Sequence, residues 1–333
     1  MITDSAKKIL STEAKKVATR TAYGDTITAL GETNKNIVAL DSDLSKSTMT
    51  ATFAKKFPDR FFNFGIAEAD MMSAAAGLAT TGKIPFASTF AVFATKRAAD
   101  QVSSSIAYPH LNVKICATHA GISVGEDGAT HQAIEDVAIM RAIPGIVVLS
   151  PCDATETKKV IETVVKYNGP CYVRLTRTNI PVLFNDSYNF KIGKGIKIME
   201  GTKATLISTG FMTHIAFEAA KKLEEQGIEV DFINMASIKP IDEELIIESA
   251  KKTKVVITVE DHSVIGGLGS AVCELLSEKL PTKVIRLGVQ DKFGASGETY
   301  ELINAYGFGE ESIINTVKSL TLSTAEAGRF LSG

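Results

Sequence analysis

The sequence predicts an α/β chain of two doubly wound domains, each a largely parallel sheet with helices on both faces. Three observations lead there. Short apolar runs alternate with longer amphipathic segments in both halves of the chain. At roughly 150 residues per domain, 333 residues accommodate two such units. Trp is absent and aromatic residues reach only 7%, which suits an aliphatic core better than a β-sandwich.

Composition limits the partners. A hydrophobic share of 45% with 22% charged residues is enough for large cores. The net charge of −2 and the lack of any Lys/Arg stripe argue against a nucleic-acid or membrane-surface partner. Cys116, Cys152, Cys171 and Cys273 form no CxxC pair, and they read as structural thiols of a reducing compartment, not as disulfides or zinc ligands. The N-terminus lacks an apolar signal region, and no apolar run reaches the ~18 residues of a membrane span. A cytoplasmic chain is expected.

In order, the pattern predicts a helix over 13–33, a buried strand over 36–40 and the polar loop 41–47 at that strand's carboxyl edge. A strand over 61–65 and a helix over 67–80 follow. Residues 85–88 lead into a helix over 90–106, and 112–117 form a strand that delivers His119. A helix over 132–143, a strand over 145–151, a helix over 155–167 and a strand over 171–175 complete the first domain, assigned to 14–187. Pro181, Asn185, Asp186 and Ser187 mark an interdomain linker within 179–194. The second domain, 188–321, repeats the alternation: strands over 204–207, 230–233, 255–259 and 284–287, with helices over 213–226, 243–252, 268–278, 300–305 and 310–320. The stretch 322–333 has no periodicity and reads as a disordered tail.

Candidate chemistry lies in the first domain. Thr118-His119-Ala120-Gly121 and Gly125-Glu126-Asp127-Gly128-Ala129-Thr130-His131 crowd imidazoles, carboxylates and glycines into one loop region, as a small-molecule site does and as a polar turn with capping histidines also does. Glu68 opens the nearly uncharged helix that follows Gly65-Ile66-Ala67, either as a charge matched to the helix dipole or as a buried functional acid. Phe90 and Phe93, three apart, share a helical face; by themselves they read as core, with a stacking surface for a flat heterocycle as the functional alternative.

The motifs gain meaning from their order. Asp43…Ser47, Gly65-Ile66-Ala67-Glu68, Ser88-Thr89-Phe90-x-x-Phe93, His119, Gly125-Glu126-Asp127-Gly128-x-Thr130-His131-Gln132 and Arg177 together resemble the transketolase family. The likeness runs from about Arg20 to Leu320 and covers a pyrimidine-binding domain followed by a transketolase C-terminal domain. It implies thiamine diphosphate and Mg2+ as cofactors. Glu68 would bond the aminopyrimidine nitrogen and so activate the cofactor. Phe90 and Phe93 would clamp the ring, with Ile66 and Asp43 beside it. Asp127 and His131 would meet the donor's hydroxyls, His131 also serving catalysis. His119, Arg20, Ser47 and Arg177 would gather at the sugar phosphate, where a guanidinium's planar fork fits.

One departure shapes the expectation. The Gly-Asp-Gly motif with which full-length members bind metal and diphosphate is missing, and the chain starts only about twenty residues before Arg20. The resemblance therefore implies the C-terminal subunit of a split transketolase. An N-terminal subunit would hold most of the diphosphate and the metal in a heterotetramer of two copies of each chain. Lys96 stands where many members carry a further aromatic.

Other readings fit less of the pattern. 1-Deoxy-xylulose-phosphate synthases share Asp-Gly-x-Thr-His-Gln but are usually single chains. The β subunits of 2-oxo acid dehydrogenases share the split and the Glu68-type carboxylate, yet handle no sugar phosphate. A dinucleotide-binding dehydrogenase would rest on Gly266-Gly267-Leu268-Gly269, with Val272 in the place of its third glycine. A scaffolding paralogue would have lost Glu68 or His131. His262 is expected to bond structurally, and the second domain to supply dimer contacts and no site residue.

Overall fold

The computed structural model describes residues 1–330, with side chains described through 320. Two sheets organise it. The first has seven strands in the order Ser237–Lys239, Val147–Leu149, Cys171–Arg174, Lys114–Thr118, Ile84–Phe90, Ile37–Asp41, Phe61–Asn63. All pairs are parallel except the edge pair made by Ser237–Lys239. The second sheet is Lys283–Val289, Val255–Ser263, Thr205–Ser208, Asp231–Asn234, Ile196–Met199, again parallel but for its last member. The central strands Ile37–Asp41, Lys114–Thr118, Cys171–Arg174 and Thr205–Ser208 are buried along their whole length, as parallel strands covered on both faces require.

Several elements depart from the sequence expectation, each for a physical reason. The helix expected over 13–33 begins only at Thr19, because Lys16–Val17 pairs antiparallel with Ile180–Pro181. The helix expected from Phe90 is preceded by strand pairing that continues through Phe90, opposite Thr118. A short helix Ala91–Lys96 and a π-helical turn Gln101–Ala107 follow. The helix expected from Gln132 starts at Asp136, since Gln132 turns inward and its amide donates to the carbonyls of Ile122, Gly125 and Ala295. The final helix spans Glu310–Phe330 and takes in most of the stretch expected to be an unordered tail. Residues 331–333 of that stretch lie outside the described residues.

The two domains share polar seams. Ser237–Lys239 leaves the second domain to complete the first sheet. Glu156, from the first-domain helix Ala154–Lys166, accepts from Asn234 of the second domain at 2.8 Å, from the Cys152 amide at 2.7 Å and from the Tyr188 hydroxyl. Arg174 is buried and donates to Asp136 at 2.8 Å and to the Asp261 carbonyl at 2.8 Å. A buried charge so paired fixes the geometry between its neighbours, since breaking the pair strands the partner. His262 is buried in the same seam. Its Nε2 accepts from the Ala138 amide at 3.3 Å and its Nδ1 lies 2.6 Å from the Ser263 carbonyl, an arrangement met by the tautomer protonated on Nδ1.

Candidate active site

Five neighbouring parallel strands deliver the site residues to one edge of the first sheet. Ile37–Asp41 ends in the loop carrying Asp43 and Ser47, and Phe61–Asn63 ends before Gly65, Ile66 and Glu68. Ile84–Phe90 ends in Phe90 itself, Lys114–Thr118 hands over to His119, and Cys171–Arg174 leads to Arg177. The carboxyl edge of a parallel sheet is where open α/β proteins bind ligands.

The loop after Asp41 is built on that carboxylate. Buried Asp41 accepts from the Leu44 amide at 2.6 Å, the Thr48 hydroxyl at 2.6 Å and the Thr50 hydroxyl at 2.9 Å. Burial raises its pKa, and these donors partly offset the shift. Asp43 takes a left-handed backbone (φ 62°), held because its amide donates to Asn63 Oδ1 at 3.0 Å. The same oxygen accepts from Gly65 at 3.1 Å, so one asparagine couples the Asp43 and Glu68 loops.

Glu68 begins the helix Glu68–Thr80 and is 4% exposed. Its Oε1 accepts from Arg97 at 3.0 Å, while Oε2 meets no donor among the described residues. Arg97 lies 4.1 Å from the Phe93 ring centroid. Glu68, Arg97, Phe93, Ile66, Asp43 and His131 are among the residues that line a cavity of about 230 Å3. Phe90 and Phe93 stack nearly parallel with centroids 5.8 Å apart. That spacing is direct ring packing and leaves no gap for a third ring, so the pair makes one aromatic wall rather than two jaws.

The wall continues into the histidines. His119 stacks on Phe90 at 3.8 Å, and His131 meets Phe93 edge-on at 5.6 Å and Phe90 at 6.2 Å. Buried His119 is left-handed (φ 58°). Its pKa is drawn down to about 3, chiefly by burial and further by the charges of Arg20 and Arg177 and by His131. It is therefore neutral near pH 7. Nε2 faces the Arg20 guanidinium at 3.4 Å and accepts, leaving Nδ1 to donate to Thr118 Oγ1 at 2.9 Å.

Arg20 also donates to the Ser47 carbonyl at 2.8 Å, and its Nε is buried without a partner among the described residues. Burial, then Arg177, lowers its pKa. Arg177 donates to Asp127 at 3.0 Å and to the Val124 carbonyl at 3.3 Å. Asp127 ends the 3-10 segment Ile122–Asp127, and left-handed Gly125 and Gly128 let that segment turn. Asp43, Ile66, Asp127 and Arg97 are exposed at the rim.

The candidate site residues from the sequence thus gather at one sheet edge, Glu68, Phe93, Asp43, Ile66 and His131 around the cavity and Arg20, Ser47 and His119 in direct contact. Sequence reasoning missed three features. Asp41 was read only as part of the polar loop 41–47, and its partners Thr48 and Thr50 beyond that loop were not singled out. Arg97 was given no role within the helix expected over 90–106. Asp261 accepts from the amides of Ile122 and Ser123 and so brings the second domain to the site, where no residue of it was expected. The Gly266–Gly269 turn opens the helix Leu268–Lys279, but Glu260 already accepts from Leu268 and Gly269 at 2.7 and 2.8 Å. That helix start, where a dinucleotide phosphate would sit, is filled by the chain's own carboxylate.

Known proteins resemble this chain over most of its length. The profile described as the transketolase pyrimidine binding domain matches residues 15–182, and that of the transketolase C-terminal domain matches 193–313. The chain belongs to the transketolase family. A protein of Methanocaldococcus jannaschii named as a transketolase C-terminal section is 52% identical over 90% of this chain and 94% of its own. A 6-deoxy-6-sulfo-D-fructose transketolase subunit from a Clostridium species is 39% identical over 91% and 94%. A solved structure described as a split gene transketolase in an inactive beta4 tetramer is 51% identical, covers 92% of this chain and 99% of its own, and superposes with a TM-score of 0.86.

Proposed function

We propose that this chain is the C-terminal subunit of a two-chain transketolase, moving a two-carbon ketol unit from a ketose phosphate to an aldose phosphate. The observation that carries the reading is the pairing at one sheet edge of a buried acid, Glu68, with a cationic pocket of Arg20 and Arg177 around neutral His119. The residues fit thiamine diphosphate. The free Oε2 of Glu68 at the cavity is an acceptor for a protonated ring nitrogen, and the Phe90/Phe93 wall with Ile66 offers apolar surface to its ring. Bound there, the cofactor supplies the carbon nucleophile that a protein side chain lacks.

This chain's own groups do the rest. Glu68 holds the proton balance of the ring nitrogen, and its burial strengthens the contact. Asp127 and His131 orient the donor's hydroxyls, with His131 moving a hydroxyl proton through its imidazole. Arg20 and Arg177 hold the terminal anion, His119 and Ser47 completing that end. The relative named for 6-deoxy-6-sulfo-D-fructose supports an anionic sugar as the substrate class more than any one sugar.

A partner subunit with the diphosphate-binding domain completes the enzyme, most of the metal and diphosphate contacts lying on it, in a heterotetramer. The relative named as a C-terminal section and the inactive beta4 tetramer of a split gene transketolase support this. Calorimetric titration of thiamine diphosphate with magnesium into the reconstituted pair tests the reading. Saturable binding that Glu68→Gln weakens severalfold is expected, and equal binding by the variant contradicts it.

A further inference from the structure

The loop that would read the sugar is anchored from the other domain. Asp261 lies near the end of the strand Val255–Ser263 and is 1% exposed. Its Oδ1 accepts from the Ile122 amide at 2.8 Å and its Oδ2 from the Ser123 amide at 3.2 Å. These are the first amides of the segment that ends in Asp127, and a helical turn leaves its leading N–H groups unpaired unless something outside accepts from them. Gly121 is left-handed (φ 79°), and a Cβ on it would lie 2.0 Å from Asp261 Oδ2. The backbone has therefore been brought onto the carboxylate as closely as glycine allows.

The far end of the loop is tied to the same domain. Arg174 Nη2 donates to the carbonyls of Asp261 and Ala133, and the Gly121 amide donates to that same Ala133 carbonyl at 2.8 Å. Gln132 donates to Ala295 at 2.9 Å, and Thr299 to the Ser123 carbonyl at 3.0 Å. None of these groups contacts Glu68, which stands at another strand end.

Building on the ketose phosphate reading, we infer that Asp261 is a positioning residue for substrate. Through Ile122 and Ser123 it sets where Asp127 and Arg177 stand, so the second domain governs affinity for the sugar phosphate and leaves cofactor affinity alone. Buried hydrogen bonds to a carboxylate hold an angle that neutral loop contacts would let drift. A plain packing role would weaken everything together.

Asp261→Asn keeps the shape but turns an amide toward one of the two backbone donors. In the reconstituted complex, KM for fructose 6-phosphate should rise about tenfold, with kcat and the thiamine diphosphate Kd within about twofold of the wild-type values. Gly121→Ala, which presses a methyl on the same carboxylate, should give the same split. In the isolated chain, amide exchange at Ile122 and Ser123 should quicken about tenfold while the strand Ile84–Phe90 stays protected. Unchanged KM, or a KM rise matched by an equal loss of cofactor affinity, overturns the inference. If the wild-type complex does not turn over fructose 6-phosphate, the functional reading fails by itself. The exchange measurement then still decides, because continued protection of Ile122 and Ser123 in Asp261→Asn rules the anchor out.

Discussion

At Glu68 a sheet edge and a helix start coincide, so the carboxylate is dry on one side and faces the cavity on the other. Replacing it with Ala should lower kcat of the reconstituted enzyme by about 10² to 10⁴, the span of general acid–base contributions, with the fold intact by circular dichroism. Arg177 acts elsewhere. On the proposed function, Arg177→Ala takes one fork from the anion end and should raise KM for a ketose phosphate about tenfold or more, yet barely change turnover of the unphosphorylated ketose. His119 makes a different prediction. Its folded pKa of about 3 lies below the ordinary 6.5, so the unfolded chain binds the extra proton between those values. Its contribution to stability is complete above pH 6.5 and is lost as pH falls toward 3. Urea midpoints of His119→Asn should therefore fall less steeply than wild type across that window.

Among the elements, the helix Ala154–Lys166 shows the opposite pH behaviour. Asp153 caps it by accepting from the Glu156 amide at 2.7 Å, and burial pushes Asp153 up to about 6 and Glu156 up to about 7. With folded values above the unfolded ones, this stability is present at low pH and is lost as pH rises through about 7. Glu156→Gln sets a second donor against the Cys152 amide, so it should be less stable than wild type at pH 4.5, with the gap closing by pH 8. Element by element, the sequence was readable where burial is continuous. Apolar runs located nine of the twelve described strands of the two sheets, because a parallel strand covered on both faces has to be apolar. Ile84–Phe90, whose run was read as a lead into a helix, and Ile196–Met199 were missed. Ser237–Lys239 was not readable, since three residues carry no period and their partner lies far back in the chain. The strand expected to stop at residue 259 runs on through Glu260, Asp261 and His262. Those polar residues are buried by the domain seam, which hydropathy does not see. Gln132 broke its expected helix for the same reason, by bonding inward across that seam.

For the molecule as a whole, the shared strand, the Glu156–Asn234 contact and the Arg174 seam predict one cooperative unit. Thermal unfolding should give a single transition with matching calorimetric and van't Hoff enthalpies, and a chain ending at 192, deprived of Ser237–Lys239, should unfold at a markedly lower temperature. The site residues were readable as a set because the order of their motifs along the chain resembles that of one family, although the sheet sets the Glu68 strand outside the Asp43 strand. Their support was not, because Asp41, Arg97 and Asp261 act through contacts that spacing does not encode. The rim residues Asp43, Ile66, Asp127 and Arg97 remain exposed, as half of a site would leave them. The central claim is that chemistry requires two different chains. Its most direct test is ketol transfer from fructose 6-phosphate to an aldose phosphate, with thiamine diphosphate and magnesium, by this chain alone, by the diphosphate-binding subunit alone and by the mixture. Activity only in the mixture, saturating as the two reach equal amounts, is predicted; turnover by this chain alone would contradict it.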